Sequence, residues 1–412
     1  MMGPGSTDAS GTRKPRLLYL TRTYPYLPAT GGDMVYSAGV IESLGQAADV
    51  TVLAASNGAV EPGSFDAHGV HWRIVPRARA ASARSLASAM PNIVWRGATP
   101  AYRATLDRLL REAWDGVVLD HLGSAHALAA IDGQRRAGRR LPVLYLSHEF
   151  EAEARAEKYR AYGGGALRQA ALRVDGAKVA RWEQRVVAAS DAISVINPSE
   201  AALYARQAPD KRFVTTTPGY AGPRVAARVI DASVPRRIAL LGGRGSQQKQ
   251  QVLLRWLAES AAIIAAAGVE MEVIGALDAG LRDDIAQRFP EVTIRGYVDD
   301  LVAHLQTCRL GVIPDFVGRG VKLRLLDLVF ARVPLAGLDG AIDGLPLAAD
   351  RDFAEAPTLP ELARLAVALV DDLPRLNAFQ ESAFAACDGA FDWRDRGRVI
   401  VDLFATINAR SG

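Results

Sequence analysis

Ile238-Ala239-Leu240-Leu241-Gly242-Gly243-Arg244-Gly245-Ser246-Gln247-Gln248-Lys249 is the stretch that decides the fold. Four consecutive apolar residues mark a strand buried on both faces, as in a parallel sheet. Glycines end it, and Val252–Ala267 carries helical periodicity directly afterwards. A strand that turns straight into a helix aims free backbone N–H groups and the positive helix end at one point, which suits an anion. Arg244 and Lys249 flank that turn. The alternative is a solvated loop with incidental charges; the position between strand and helix favours the anion site. Neither the G-x-G-x-x-G fingerprint nor the P-loop G-x-x-x-x-G-K-[ST] is present here, so nicotinamide-dependent oxidoreduction and ATP hydrolysis lose support.

Outward from this turn the chain reads as alternating strand and helix, the pattern of an α/β layer with a parallel sheet. Strands are predicted at Met271–Ile274, Val292–Gly296, Leu310–Pro314 and Val333–Ala336, with a helix at Lys322–Ala331. The same pattern runs through the N-terminal half. Leu17–Leu20 and Val50–Leu53 read as buried strands on either side of a helix over Asp33–Ala47. Further strands are expected at Val70–Val75, Gly116–Leu119, Val143–Ser147 and Ala192–Ile196. Residues 1–15 read as a flexible leader, and 219–235, with Gly222-Pro223 and Pro235, as a linker. Domains are therefore expected at 16–218 and 236–390. A C-terminal helical segment over 391–412, with Val399, Leu403 and Ile407 four apart, either closes the second core or crosses back onto the first half.

The chain's 412 residues, 49% apolar and 23% charged, can bury two cores. Its formal charge of +4 is too small for a nucleic-acid-binding excess. The polar start lacks a signal-peptide core, and no apolar run approaches the ~18–20 residues of a spanning helix. Two cysteines, Cys308 and Cys387, build neither a disulfide scaffold nor a Cys zinc site and fit a reducing cytoplasm. Only six of the 49 basic residues are lysines: Lys14, Lys158, Lys178, Lys211, Lys249 and Lys322. Richness in Ala and Arg suggests a GC-rich bacterial genome, where each lysine is more informative than usual.

Lys322 belongs to a second loop, Pro314-Asp315-Phe316-Val317-Gly318-Arg319-Gly320-Val321-Lys322, which again ends a strand and opens a helix. Its two glycines let the backbone approach a ligand. Asp327, one and a half to two turns into that helix, suits the vicinal hydroxyls of a ribose, although such an acid also pairs readily with Arg324.

These residues resemble the retaining glycosyltransferases of the GT-B fold, particularly family 4. The resemblance rests on Gly243-Arg244 with Lys249, on Gly296-Tyr297-Val298 before Asp300-Leu301, and on Gly318 to Asp327 with Arg324 in the second basic place. Arg332–Ala336 and a late Phe391-x-Trp393 complete it. It covers 236–405 and, more loosely, 16–215, through Gly31-Gly32 and Asp120-His121. It implies two Rossmann-like domains facing a central cleft, with the C-terminal helix returning to the N-terminal, acceptor-side domain. It further implies that Arg244 and Lys249 neutralise a donor diphosphate, joined by backbone N–H groups of Gly318, Arg319, Gly320 and Val321. Lys322 falls in the same donor-binding segment. Asp327 would bind the ribose, Tyr297 and Val298 would flank the base, Gly31 and Gly32 would approach the diphosphate, and His121 would face the transferred sugar.

The expected function is transfer of a sugar from a nucleotide diphosphate sugar to a glycan or lipid-linked acceptor, in cell-surface polysaccharide or glycoconjugate synthesis. Fixed cations stabilise the departing diphosphate more in the transition state than in the ground state. No His/Asp metal set is visible, so no metal and no cofactor is expected, and retention is what the family implies. The family's first glutamate is Arg319 here, which matches the carboxylate of an acidic sugar or else meets phosphate or solvent. A nucleotide-sugar 2-epimerase and a catalytically silent GT-B scaffold are the alternatives.

On the acceptor side, His148 and Glu149 follow a strand and are candidates, whereas His126 reads as structural. Residues 77–111 carry seven arginines (Arg77, Arg79, Arg84, Arg96, Arg103, Arg108 and Arg111) against one acid, Asp107, and a second basic helix spans Arg168 to Arg185. These are either solvated faces or a peripheral contact with the inner face of the membrane.

Overall fold

In a computed structural model of the chain, residues 13–26, 31–80, 83–242, 247–316 and 321–410 are described. The chain divides into two units. The first runs to Gly219 and takes up Asp392 onward; the second is Tyr220–Phe391.

The first unit is built on eight strands: β1 (Arg16–Leu20), β2 (Asp49–Ala55), β3 (Gly63–Ala67), β4 (Val70–Val75), β5 (Gly116–Asp120), β6 (Val143–Ser147), β7 (Ala192–Val195) and β8 (Arg212–Thr215). Their order is β3-β4-β2-β1-β5-β6-β7-β8. All pairs are parallel except β3 with β4. The apolar runs hold the centre: Leu17, Leu18, Tyr19 and Leu20 are fully buried. The β3–β4 hairpin was not legible in the sequence. Its turn residues, His68 and Gly69, both have positive φ (54° and 74°), the geometry of a tight type I′ turn, but His-Gly is not the usual Asn-Gly signal.

The C-terminal helix Trp393–Ala409 packs on the helix Gly32–Ala47, as the second of the two expectations had it. Its buried face is Arg396, Gly397, Ile400, Leu403 and Phe404; of the expected Val399-Leu403-Ile407 set Leu403 is buried, while Val399 is exposed and Ile407 half-buried. Glycines allow the close approach. A Cβ on Gly39 would stand 2.4 Å from the Trp393 ring, one on Gly116 2.4 Å from Phe404, and one on Gly397 2.3 Å from the Ser43 carbonyl oxygen. Ser43 Oγ donates to the Trp393 carbonyl (2.5 Å) and accepts from the Gly397 N–H (2.7 Å), so the hydroxyl bridges an i, i+4 carbonyl and N–H of the first turn. Arg396 clamps the same end to Thr217, donating to its carbonyl (2.7 Å) and its Oγ1 (2.6 Å).

The second unit has six strands: β9 (Arg237–Leu241), β10 (Glu270–Ile274), β11 (Val292–Gly296), β12 (Leu310–Ile313), β13 (Leu335–Leu338) and β14 (Ala354–Ala356). Their order is β11-β10-β9-β12-β13-β14, all parallel. Residues 220–235, read from the sequence as a linker, pack onto this unit. Arg228 is buried and donates to the carbonyls of Arg332, Gln306 and Cys308, and Ile230 joins the core. Gly and Pro mark irregular backbone, not exposure, and here buried guanidinium groups take the place of a regular ladder. Of the expected leader, residues 1–12 lie outside the described residues, and Arg13 pairs with Asp115 at 3.0 Å.

Two glycine substitutions of opposite sign test the docking of the last helix. Gly397→Ala should cost about 1–3 kcal/mol, since a Cβ meets backbone that cannot give way. Gly133→Ala, in the helix Leu128–Arg136 with nothing within 4 Å, should raise stability by up to ~1 kcal/mol. Urea denaturation of both variants checks the pair.

Candidate functional site

In an open parallel sheet a ligand crevice forms beyond the carboxyl ends of the two strands at which the order reverses. In the second unit those strands are β9 and β12. The loops that follow them are the two singled out by sequence. Gly242 (φ 116°) leaves β9, and the helix Gln247–Ala266 begins five residues later. Pro314-Asp315-Phe316 leaves β12, and the helix Leu323–Phe330 follows Lys322. Gly243 and Arg244, and likewise Gly318, Arg319 and Gly320, lie outside the described residues.

Among the described residues of these loops, Lys249 is exposed in the first turn of its helix. Lys322 is largely buried. Burial pushes its ammonium down, and Nζ donates to the Ala341 carbonyl at 2.8 Å. Arg324 forms an ion pair with Asp315. That leaves Asp327 apart from the arginine it was weighed against. Burial pushes its carboxyl up to about 6, and the Tyr220 hydroxyl partly offsets this. Val321 is half-buried, and Val298 packs against the core. Tyr297 is 82% exposed.

The first unit repeats the arrangement with β1 and β5 at the reversal. There Thr21, Arg22, Thr23, Pro25, Asp33, Met34, Ser37, Asp120, His121 and His148 line a small open pocket. Gly31 caps the helix Gly32–Ala47 with no side-chain hydrogen bond, and the Asp33 carboxylate folds over it, within 2.2 Å of where a Cβ on Gly31 would stand. Asp120 ends β5, and His148 follows β6, the adjacent strand. His148 Nε2 therefore meets Asp120 Oδ1 at 2.6 Å. Burial alone would push the imidazole down; the Asp120 carboxylate outweighs it, and the net shift is upward. Asp120 in turn is held below the ordinary carboxylate range despite burial.

His121 is fixed differently. Its backbone has φ 65°, a costly conformation away from glycine, in the turn after β5. Nδ1 accepts from the Gly123 N–H at 3.1 Å, so the ring proton sits on Nε2, 2.6 Å from Glu151 Oε1. Glu151 is 0% exposed, and Arg155 Nε holds its other oxygen at 2.8 Å. Burial opposes the charge on Glu151, but Arg155 and His121 keep it well below the usual range. Both His121 nitrogens thus face protein groups. Glu149 pairs with Lys158 and does not line the pocket. His126, read as structural, is buried, and burial lowers its imidazole to about 3.

The sequence missed the pairings His148–Asp120 and His121–Glu151, and with them Arg22, Asp33 and Arg155. A signal existed for the first, because two consecutive parallel strands ending in Asp120-His121 and Ser147-His148 set those residues side by side.

One group of metal-ligand types occurs among the described residues: Glu272, His304 and Cys308. The carboxylate is already engaged, with Arg295 Nη2 at 2.7 Å and His304 Nε2 at 2.8 Å. Burial pushes the Cys308 thiol up to about 11, away from the thiolate a metal needs. The cluster ties β9, β10 and β11 together and does not fit a metal centre.

No known family's sequence profile and no curated protein matches the chain. Solved structures do. Sucrose-phosphate synthase from Thermosynechococcus elongatus superposes with a TM-score of 0.70 at 16% identity, covering 96% of this chain and 100% of that one. HepE of Anabaena, in complex with UDP and glucose, gives 0.62 at 12% identity, covering 95% and 100%. WaaG, a glycosyltransferase involved in lipopolysaccharide biosynthesis, gives 0.62 at 14% identity, covering 94% and 99%. At these identities the likeness is one of fold, and the chain has the two-domain α/β architecture of GT-B glycosyltransferases.

Proposed function

We propose that the chain is a glycosyltransferase that moves a sugar from a nucleotide diphosphate sugar to a glycan or lipid-linked acceptor. The observation that carries this reading is the placement of both glycine-rich, lysine-bearing loops at the β9/β12 reversal, where an open parallel sheet takes its ligand. HepE, of the same fold, holds UDP and UDP-glucose in its solved complexes. In this reading the second unit binds the donor. Lys249, Lys322, Arg244 and the backbone N–H groups of 318–321 meet the diphosphate, and the Asp327 carboxylate accepts from the ribose hydroxyls. Tyr297 and Val298 flank the base. As the glycosyl bond breaks, its electron pair stays with the diphosphate, where fixed ammonium, guanidinium and N–H groups stabilise the growing charge. No metal step is needed, and retention follows the family resemblance.

The first unit binds the acceptor in this reading. A membrane-borne acceptor is favoured by the helix Ala166–Ala189. Leu167 is 89% and Val174 49% exposed, flanked by exposed Arg168, Arg173, Arg181 and Arg185, while both acids of the helix, Asp175 and Glu183, are buried. Among the described residues no helix is long and apolar enough to cross a membrane. A surface contact at the inner leaflet remains open to such a helix. Flotation with vesicles containing anionic lipid should carry the protein at low salt. Leu167→Glu should abolish this, and failure of the parent protein to float would end the membrane reading.

Nucleotide release from UDP-sugars with and without an acceptor extract separates the alternatives. Acceptor-dependent release marks a transferase. Sugar interconversion without release marks an epimerase, and binding without turnover a scaffold. Lys249→Ala and Lys322→Met should each weaken UDP binding about tenfold, or ~1.4 kcal/mol, read as a smaller thermal shift. Undiminished shifts in both would overturn the donor site.

Asp327 makes a prediction with two signs. Its folded pKa lies above the ordinary 3.8, so the folded state holds the proton more tightly and ionisation costs stability. That cost is absent at pH below 3.8, grows as pH rises to about 6, and is constant above. Asp327→Asn should therefore melt higher than the parent protein above pH 6, by at most ~3 kcal/mol, with the gain fading on acidification. The same variant should bind UDP about tenfold more weakly, since it loses charge-assisted bonds to the ribose.

A further inference from the structure

The pocket at the β1/β5 reversal contains two buried polar atoms with no hydrogen-bond partner, Asp120 Oδ2 and His148 Nδ1; the hydroxyls of Thr21 and Ser37 lower the Asp120 carboxyl, which leaves His148 Nδ1 as the unanswered group. His148 is 7% exposed and its Nε2 is taken by Asp120, but its Nδ1 is buried with no hydrogen-bond partner. Buried polar atoms are ordinarily paired, so an orphan beside a pocket marks a place for something else. Two further features of the same wall are positive. The Arg22 guanidinium lines the pocket, and its one ion-pair contact among the described residues is a loose 3.7 Å to the half-exposed Asp33. The helix Gly32–Ala47 starts there, and its cap residue Gly31 brings no side chain to the positive end. Arg96, outside the lining, feels the charges of both Arg22 and Arg77, which add to burial in weakening its hold on its proton. Among the described residues no carboxylate forms an ion pair with Arg77 or Arg96. Thr23 adds a hydroxyl to the lining, while the Thr21 hydroxyl serves Asp120.

We propose that this pocket binds a phosphoryl group, so that the acceptor taken by this chain carries a phosphate. A guanidinium, an imidazole N–H, a positive helix end and a hydroxyl converging from several sides suit the spread oxygens of a phosphate better than a planar carboxylate. Asp33 bonds only loosely and gives up Arg22 to the stronger anion. The proposal rests on the acceptor role of the first unit. It names what that acceptor must carry.

The test uses the full chain with saturating UDP present, which keeps the second unit occupied. The probes are glucose 6-phosphate, inorganic phosphate, a short polyprenyl phosphate in micelles, glucuronate and glucose. Glucose 6-phosphate or polyprenyl phosphate should raise the melting temperature and shift the His148 ring signal in NMR, both saturably. Whichever binds tighter identifies a free or a lipid-borne ester. Glucose should do neither. Arg22→Gln should weaken phosphate binding about tenfold with the UDP shift unchanged, and Arg96→Gln, outside the lining, should weaken it less. A His148 signal unmoved by every phosphate probe would overturn the proposal. So would glucuronate or glucose binding as well as glucose 6-phosphate, or an undiminished effect in Arg22→Gln. Loss of UDP binding with phosphate binding retained would instead count against the donor site.

Discussion

Parallel pairing is the constraint on which the rest depends. A strand can join a parallel neighbour only through a crossover, so in each unit the loops that leave the carboxyl ends of the mutually parallel strands gather along one edge of the sheet. Where the order reverses, the two loops run to opposite faces and leave room between them. β9 and β12 do this in the second unit, β1 and β5 in the first. Gly242, Asp315, Arg22 and His121 are brought to those places by topology, before any side-chain contact is made. The sheet interiors need only be apolar and β-branched enough to pair. What distinguishes this chain lies in the few residues after each strand.

That division explains what the sequence disclosed. Runs such as Leu17–Leu20 and Ile238–Leu241 are buried on both faces, so their character is continuous and readable without knowing their neighbours. The strand-to-helix turns after β9 and β12 were readable because an apolar run gives way to glycine and then to helical periodicity. The β3–β4 hairpin was not, because its turn relies on a histidine at positive φ. Residues 220–235 misread for a related reason. Their order comes from Arg228 bonding to carbonyls 78 to 104 positions away, which no local pattern reports. The same holds for Glu151 and Arg155. Nothing near them in sequence announces that they stand behind His121.

The last helix shows how a distant contact is still encoded locally. Gly39, Gly116 and Gly397 each remove a Cβ at the point where another element arrives. Ser43 supplies a hydroxyl that donates to the Trp393 carbonyl and accepts from the Gly397 N–H, bridging the helix's first turn. Small residues set the distance and one hydroxyl sets the register. The apolar spacing placed only Leu403 on the buried face, because it registers side-chain volume and not the places where volume is missing.

The two reversal points differ in how they keep charge available. In the second unit Lys249 stands exposed and burial holds the Asp327 carboxyl near 6. In the first unit Asp120 and Glu151 are buried as anions, a cost that only close partners offset. His148 offsets one; His121 with Arg155 offsets the other. Such pairs add little net stability, but they lock two imidazole rings in orientation, 5.2 Å apart and edge to face. His121 is locked with both nitrogens engaged and so serves as wall. His148 is locked with one nitrogen unused, and a ring immobilised by a buried carboxylate presents that nitrogen without first losing rotamer freedom. The cost of ordering the pocket is met on folding, and a ligand that answers Nδ1 gains an interaction the folded chain alone leaves unmade.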